Sequence, residues 1–344
     1  MAAEPVFRHD VSLAEANTFG LPGRARLLAD VSTEAEAASA LAAARAGQLP
    51  VTILGGGSNI VLAGDVDGLV LRPRLRGIRL LEEKDGACLV EAMAGENWHD
   101  FVRHCLAAGW YGLENLSLIP GTVGAAPVQN IGAYGVELTD VMHSLTAMDR
   151  ETGELHELAR ADCGFAYRDS IFKGVQRDRY LITRVRFVLT RAPRLQLGYG
   201  DIRSELAAAG IAAPTPLDVS NAVIAIRQRK LPDPAVIGNA GSFFKNPLVP
   251  AAQFAALQQQ FPAIVGYPQG ELVKLAAGWL IEQAGWKGRD LGRAGCYERQ
   301  ALVLVNRGGA TGAEVLALAA AIVRDVEARF GVRLEAEPVV LGRA

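Results

Sequence analysis

The chain has 344 residues, 50% of them hydrophobic and 21% charged, enough for a large core spread over two or three domains. That balance excludes disorder as the main state. With 35 basic against 37 acidic side chains the net charge is −2, which lacks the basic footprint of a nucleic-acid binder.

The opening MAAEPVFRHD carries acids and no apolar stretch, so it does not read as a signal peptide. Thr33 and Glu36 have capping-box spacing and predict a helix that ends near Gly47. Val51–Leu54 follows Pro50 as a short buried strand and runs into glycines. From Leu69 to Val90 apolar and polar residues alternate as in strands, and Glu96 to Gly109 reads as a helix with Phe101, Cys105 and Leu106 on one face. Strand-like runs return at Leu145–Met148, Tyr180–Leu189 and Leu195–Leu197. Asn221 to Arg229 reads as a helix, closed by Lys230-Leu231-Pro232-Asp233-Pro234, a domain boundary by its two prolines. Gln253–Gln260 and Val273–Ala284 read as further helices. Thr311 and Glu314 open a last helix that stops at Gly331, and Val332–Leu341 is expected as a terminal strand. The longest strongly apolar run, Val315 to Val323, is far below the roughly 20 residues that cross a bilayer.

The cysteines at 88, 105, 163 and 296 form no CxxC pair and read as buried thiols of a reducing compartment. The histidines at 9, 99, 104, 143 and 156 have no metal-binding spacing, so no metal is expected.

Five segments carry chemistry. Gly55-Gly56-Gly57-Ser58-Asn59 presents backbone N–H groups without side chains, suited to a phosphate or to a plain tight turn. It is not the G-x-G-x-x-G dinucleotide fingerprint. Ile119 to Gly135 is an uncharged run of small residues with amide and hydroxyl groups. It suits a flat ligand, with Gln129 or Asn130 hydrogen-bonding it, or the close packing of two backbones. In Phe165–Ser170, Arg168 suits a fixed charge near a carboxylate, or a surface pair with Tyr167. Ser242 stands between Gly241 and two phenylalanines, as a proton donor or a turn residue. In the last strand Arg333, Glu335 and Glu337 alternate with apolar residues, as on a solvated face.

Together these segments resemble the UDP-N-acetylenolpyruvoylglucosamine reductase family. The matching blocks run in order from Asn17-Thr18-Phe19-Gly20 through Gly55–Asn59, Gly95–Trp98, Ile119–Gly135, Tyr167–Ser170, Lys230–Pro234 and Asn239–Pro247 to Lys274–Gln283, and the likeness extends to about Leu341. The resemblance implies an α+β fold with a two-part, vanillyl-alcohol-oxidase-like FAD domain, residues 1–75 and 76–230. A substrate domain, 231–344, sends its C-terminal strand back to the active site.

It also implies reduction of UDP-N-acetylglucosamine enolpyruvate to UDP-N-acetylmuramate in peptidoglycan synthesis, with NADPH as donor and non-covalent FAD as carrier. In that scheme flavin N5 delivers hydride and Ser242 gives the proton. Arg168 and Glu337 stabilise the enolate-like intermediate, and Lys230 makes Ser242 a better donor. FAD would lie against Gly55, Gly56, Gly57, Ser58, Asn59, Pro120, Gly121, Gly124, Ala125, Gln129, Asn130, Gly132, Ala133 and Tyr167. The loop Leu197–Asp201 matches the loop-bearing type of the family, and Tyr199, Lys230, Asn246, Tyr267, Lys287 and Gln300 would contact substrate.

Two departures stand out. Cys296-Tyr297-Glu298-Arg299 replaces a histidine-containing variant before Gln300, and Pro338 follows Glu337 where valine is more usual, which leaves Glu335 as an alternative. A cytoplasmic bacterial monomer without nucleic-acid or membrane partners is expected. Another FAD-dependent oxidoreductase of the same superfamily and a non-catalytic nucleotide-sugar binder remain as alternatives.

Overall fold

A computed structural model describes residues 5–199 and 201–342; Gly200 of the Tyr199 loop lies outside them, as do the outer ends of the expected first and last domains. The chain forms two compact units, the first from residues 1–11, 25–57 and 67–229, the second from 12–24, 58–66 and 230–344.

In the first unit, a four-stranded sheet has the order Phe7–Ser12, Arg24–Val31, Val66–Pro73, Val51–Ile53, its last pair parallel with Val51 opposite Leu69. Helix α1, Glu34–Ala46, begins where the capping box predicts: Thr33 Oγ1 accepts from Glu36 N at 3.1 Å. Its buried Ala37, Ala40, Leu41 and Ala44 pack on Ala29, Val31, Leu69 and Leu71 of the sheet.

A second sheet is antiparallel, in the order Leu155–Ala159, Met142–Asp149, Tyr180–Thr190, Ala87–Met93, Ile78–Lys84. Helix α2, Trp98–Ala107, covers it, capped by Asn97, whose side chain accepts from Asp100 N. Trp98, Phe101 and Phe187 form its aromatic centre, with Phe101 and Phe187 ring centroids 4.9 Å apart. Burying each ring contributes on the order of 2–3 kcal/mol before the entropy of ordering it is counted.

Helices α3, Ile202–Ala208, and α4, Pro216–Lys230, enclose Ile202, Leu206, Val219, Val223 and Ile226. The α4 helix starts five residues earlier than the sequence predicts. Thr215 and Asp218 bond reciprocally around its N-terminus, with Pro216 at the first helical position, where a missing N–H costs nothing. Leu195–Leu197 is not a strand; Leu195 and Leu197 pack on this cluster, and the carbonyl of Gln196 accepts from Asn115 Nδ2.

The second unit has an antiparallel sheet in the order Asn239–Ser242, Val303–Asn306, Ala294–Cys296, Asp290–Leu291. A three-stranded sheet pairs Leu248–Pro250 with Leu272–Leu275 and that strand with Gly266–Gln269. Helices α5, Ala251–Gln260, α6, Ala277–Gln283, and α7, Gly312–Phe330, complete the unit. The Thr311–Glu314 capping box starts α7, and Gly331, at φ +63°, ends it.

Two expectations fail here. Val273–Ala284 is a strand followed by α6, because Val273 and Leu275 are buried in the three-stranded sheet and the helix begins only where Asn246 Oδ1 accepts from Ala277 N. The expected terminal strand shrinks to Val339–Leu341, which pairs parallel with Ile60–Leu62. Pro338 has no N–H to donate to a ladder, and before it only the single bridge between Ala336 and Phe244 forms among the described residues. Among the described residues no helix is long and apolar enough to cross a membrane.

Candidate active site

In the first unit the two glycine segments meet. A Cβ on Gly56 would lie 2.9 Å from Gly121 Cα, and one on Gly55 would lie 3.0 Å from Thr122 Oγ1 and 3.4 Å from Ala125 Cβ. Only hydrogen at Cα permits this approach. Gly121 itself sits at φ +115°. Thr122 Oγ1 is buried at this junction with no hydrogen-bond partner among the described residues, a costly state that a bound polar group would relieve. The amides of Gly55 and Gly56 donate to no protein acceptor among the described residues. Unspent N–H groups, a bare backbone and an orphaned hydroxyl fit the phosphates of a dinucleotide such as FAD. Gly124 serves close packing instead, since its Cα faces Ala94, whose Cβ leaves no room for a side chain.

The Ile119–Gly135 and Phe165–Ser170 segments are also brought together. Ser170 Oγ donates to Val128 O at 2.6 Å, Asn130 Nδ2 to Ala166 O at 3.2 Å, and Arg168 Nη2 to Gly132 O at 2.9 Å. Arg168 adopts φ +56°, an uncommon conformation for a side chain this large, and its guanidinium lies 5.6 Å from the Tyr167 ring centre. Asn130 differs from the flavin-bonding role the sequence suggested. Its Nδ2 also donates to Glu137 Oε2 at 2.7 Å, and its Oδ1 accepts from Thr139 N at 3.0 Å. The buried amide therefore shapes the segment rather than waiting for a ligand. Gly132 and Ala133 form a two-residue strand opposite Val136 and Glu137. Tyr199, half exposed, lies over Gly135, where a Cβ would meet its own Cβ at 3.3 Å.

In the second unit, Ser242 ends its strand opposite Val303, and Glu337 N donates to Phe243 O at 2.8 Å. The serine and the glutamate thus stand on neighbouring stretches of backbone. Glu337 is 8% exposed, whereas the Glu335 side chain is 74% exposed and paired with Lys245 at 3.2 Å. Asn59 Nδ2 donates to Glu337 O, and Asn59 O accepts from Val339 N, so this loop fixes the chain on both sides of Pro338. Ser58 immediately precedes Asn59 in the same loop.

The proposed substrate residues of this unit fall in four places. Asn246 caps the start of α6, and Gln300 Oε1 is the nearest atom to a Cβ built on Gly278 of the same turn, at 3.1 Å. Lys287 pairs with Glu282 at 3.0 Å near the other end of α6. Tyr267 lies in the three-stranded sheet opposite Lys274, half exposed, and Lys230 closes α4.

Thr122 and Arg227 were not singled out by the sequence. Arg227 Nε is buried without a partner among the described residues; burial lowers the guanidinium's pKa, the Tyr134 phenol raises it and Arg168 lowers it further. Its signal is an arginine one residue from Ile226 and four from Val223 on the apolar face of α4. All four cysteines are buried and free, and burial pushes the thiols of Cys163 and Cys296 up to about 12.

Comparison with known proteins gives two family matches: an FAD binding domain over residues 25–159, and the C-terminal domain of UDP-N-acetylenolpyruvoylglucosamine reductase over residues 233–341. Proteins named UDP-N-acetylenolpyruvoylglucosamine reductase are similar along almost the whole chain. The one from Azoarcus sp. is 60% identical, covering 96% of each chain. That from Pseudomonas syringae pv. tomato is 59% identical, covering 95% of this chain and 97% of the relative. That from Paraburkholderia phymatum is 57% identical, covering 97% and 98%. The crystal structure of UDP-N-acetylenolpyruvylglucosamine reductase from Thermus caldophilus is similar in fold, with a TM-score of 0.68 and 26% identity over 98% of this chain and 99% of that one. The chain belongs to the UDP-N-acetylenolpyruvoylglucosamine reductase family.

Proposed function

We propose that this chain catalyses the NADPH-dependent, FAD-mediated reduction of UDP-N-acetylglucosamine enolpyruvate to UDP-N-acetylmuramate in peptidoglycan precursor synthesis. The observation that carries the reading is the 57–60% identity to reductases of that name over nearly the full length.

FAD, when bound, supplies the two-electron chemistry that NADPH feeds and the enolpyruvyl double bond consumes. The chain's own residues bind, orient and protonate. The Gly55 and Gly56 amides and the Thr122 hydroxyl hold the cofactor's phosphates. Gly57, Ser58, Asn59, Pro120, Gly121, Ala125, Gln129, Gly132, Ala133 and Tyr167 line the remaining length, while Gly124 and Asn130 keep the segment in shape. Tyr199, Lys230, Asn246, Tyr267, Lys287 and Gln300 take the nucleotide sugar.

Reduction of the double bond pushes negative charge toward the substrate carboxylate. Arg168 answers it with a fixed charge whose orientation is already set by Gly132 O. Ser242 gives the proton to the carbon beside the carboxylate. Lys230 eases that donation, since an unassisted serine is a poor acid. Glu337, as the carboxylic acid, donates a hydrogen bond to the same charge-bearing group; its burial and the exposure of Glu335 favour it over that neighbour.

Residues 1–75 and 76–230 would then serve FAD and 231–344 the nucleotide sugar, in a monomer working in the bacterial cytoplasm without nucleic-acid or membrane partners. The family matches over 25–159 and 233–341 support the separation of an FAD part from a C-terminal part.

Ser242→Ala tests the assignment. Product formation should slow by about 10²–10⁴-fold while bleaching of the yellow protein by NADPH keeps its rate. Equal slowing of both half-reactions would remove Ser242 from the role of proton donor.

A further inference from the structure

The first turn of α2 reaches along the segment that forms one side of the cofactor cradle. Asn97 bridges to Thr122, Trp98 N donates to Gly121 O at 3.1 Å, and Trp98 Nε1 donates to Leu116 O at 2.9 Å. The fourth tie comes from His99, whose Nδ1 accepts the backbone N–H of Leu118 at 3.0 Å. Leu118 is held at φ +59°, a left-handed conformation that a leucine adopts only when its surroundings impose it. Two residues on are Pro120 and then Gly121, the backbone against which Gly56 packs.

We infer that His99 is a positioning residue for the FAD-binding cradle: its neutral ring accepts the Leu118 N–H and so fixes the turn that presents Gly121 and Thr122 to the cofactor. This rests on the reading of the cradle as the FAD site. The ring must carry its proton on Nε2, because only a bare Nδ1 can accept. Protonation puts a hydrogen on Nδ1, leaves the Leu118 N–H facing another donor and removes what holds the strained turn.

The groups acting on the ring come from each element packed against it. Arg103 and Asp100 lie on α2, and Arg227 comes from α4. The turn itself offers only backbone and the Ser117 hydroxyl, which is engaged with Ser220 Oγ at 2.8 Å. Burial first, and then Arg103, hold the imidazole below its ordinary 6.5, with Asp100 opposing them. A histidine whose folded value is depressed contributes its full stabilisation above the unfolded value and loses it as pH falls through the folded one. The turn is therefore intact at neutral pH and loosens in acid.

FAD affinity read by flavin fluorescence from pH 8 down into the acid range where the fold still holds tests this. The wild-type chain should weaken by about tenfold once pH has fallen through the ring's lowered folded value, the effect of one backbone donor left without its partner. His99→Asn places a non-titrating acceptor where Nδ1 stood, so its affinity should stay at the neutral wild-type level with a flatter profile. His99→Phe removes the acceptor and should be weak throughout, again without the acid step. The same acid step in His99→Asn as in wild type, or wild-type affinity in His99→Phe at pH 8, would overturn the assignment. A wild-type chain that takes up no FAD at pH 8 would instead overturn the cradle reading on which it rests.

Discussion

Gly56→Ala asks how tightly the two glycine segments must meet. Its Cβ would lie 2.9 Å from Gly121 Cα and 3.3 Å from Gly121 C, half an ångström short of the 3.4 Å at which ordinary contact begins. The neighbour is backbone, so no side chain can swing aside. Gly121 is itself at φ +115°, and Trp98 holds its carbonyl. Overpacking of this kind costs about 1–3 kcal/mol, or about 5–150-fold in an equilibrium constant. The loss should appear in FAD affinity, because the loop that yields is the one whose amides are proposed to hold the phosphates. Gly174→Ala is the matched control: Gly174 is exposed, and its nearest atom would be Ser170 O at 3.9 Å. Fluorescence titration with FAD and thermal melting of both variants decide the matter. Wild-type affinity and melting in Gly56→Ala would refute the steric reasoning, and an equal loss in Gly174→Ala would show that the assay reads any added methyl.

Phe187→Ala should cost about 3–5 kcal/mol in urea unfolding, because the ring is fully buried between Trp98 and Phe101; a loss below about 1 kcal/mol would contradict that packing. Glu314 is held down to about 2, first by its hydrogen bond from Arg293 and then by the Thr311 N–H. Its folded value lies below the unfolded 4.5, so its contribution is present above pH 4.5 and lost as pH falls toward 2. The melting difference between wild type and Glu314→Gln should accordingly be larger at pH 7 than at pH 3, and a constant difference would show that the charge is not what acts.

What was legible in the chain was local. The Thr33–Glu36 and Thr311–Glu314 boxes announce α1 and α7 because capping depends on residues three apart. Val273–Ala284 misled for the opposite reason. Its apolar residues suit a helix or a buried strand, and only pairing with Leu248–Pro250 decides. The glycine segments were visible as segments, but the contact of Gly56 with Gly121 depends on residues distant in sequence. Asn130 looked like a ligand-bonding amide until three protein groups were found on it. Arg227 carried no motif at all, and its unpartnered Nε emerges only from packing against the apolar face of α4. Ordered motifs therefore revealed the family, while the division of labour within the site required the fold.

The most direct test of the proposed reaction is a visible spectrum of the purified, FAD-loaded chain under nitrogen, with NADPH added first and UDP-N-acetylglucosamine enolpyruvate second. The account predicts a yellow protein that bleaches with NADPH and regains its colour as the enolpyruvyl sugar is consumed. Bleaching with no return of colour would contradict the assigned substrate, and a chain that takes up no FAD would contradict the cofactor site itself.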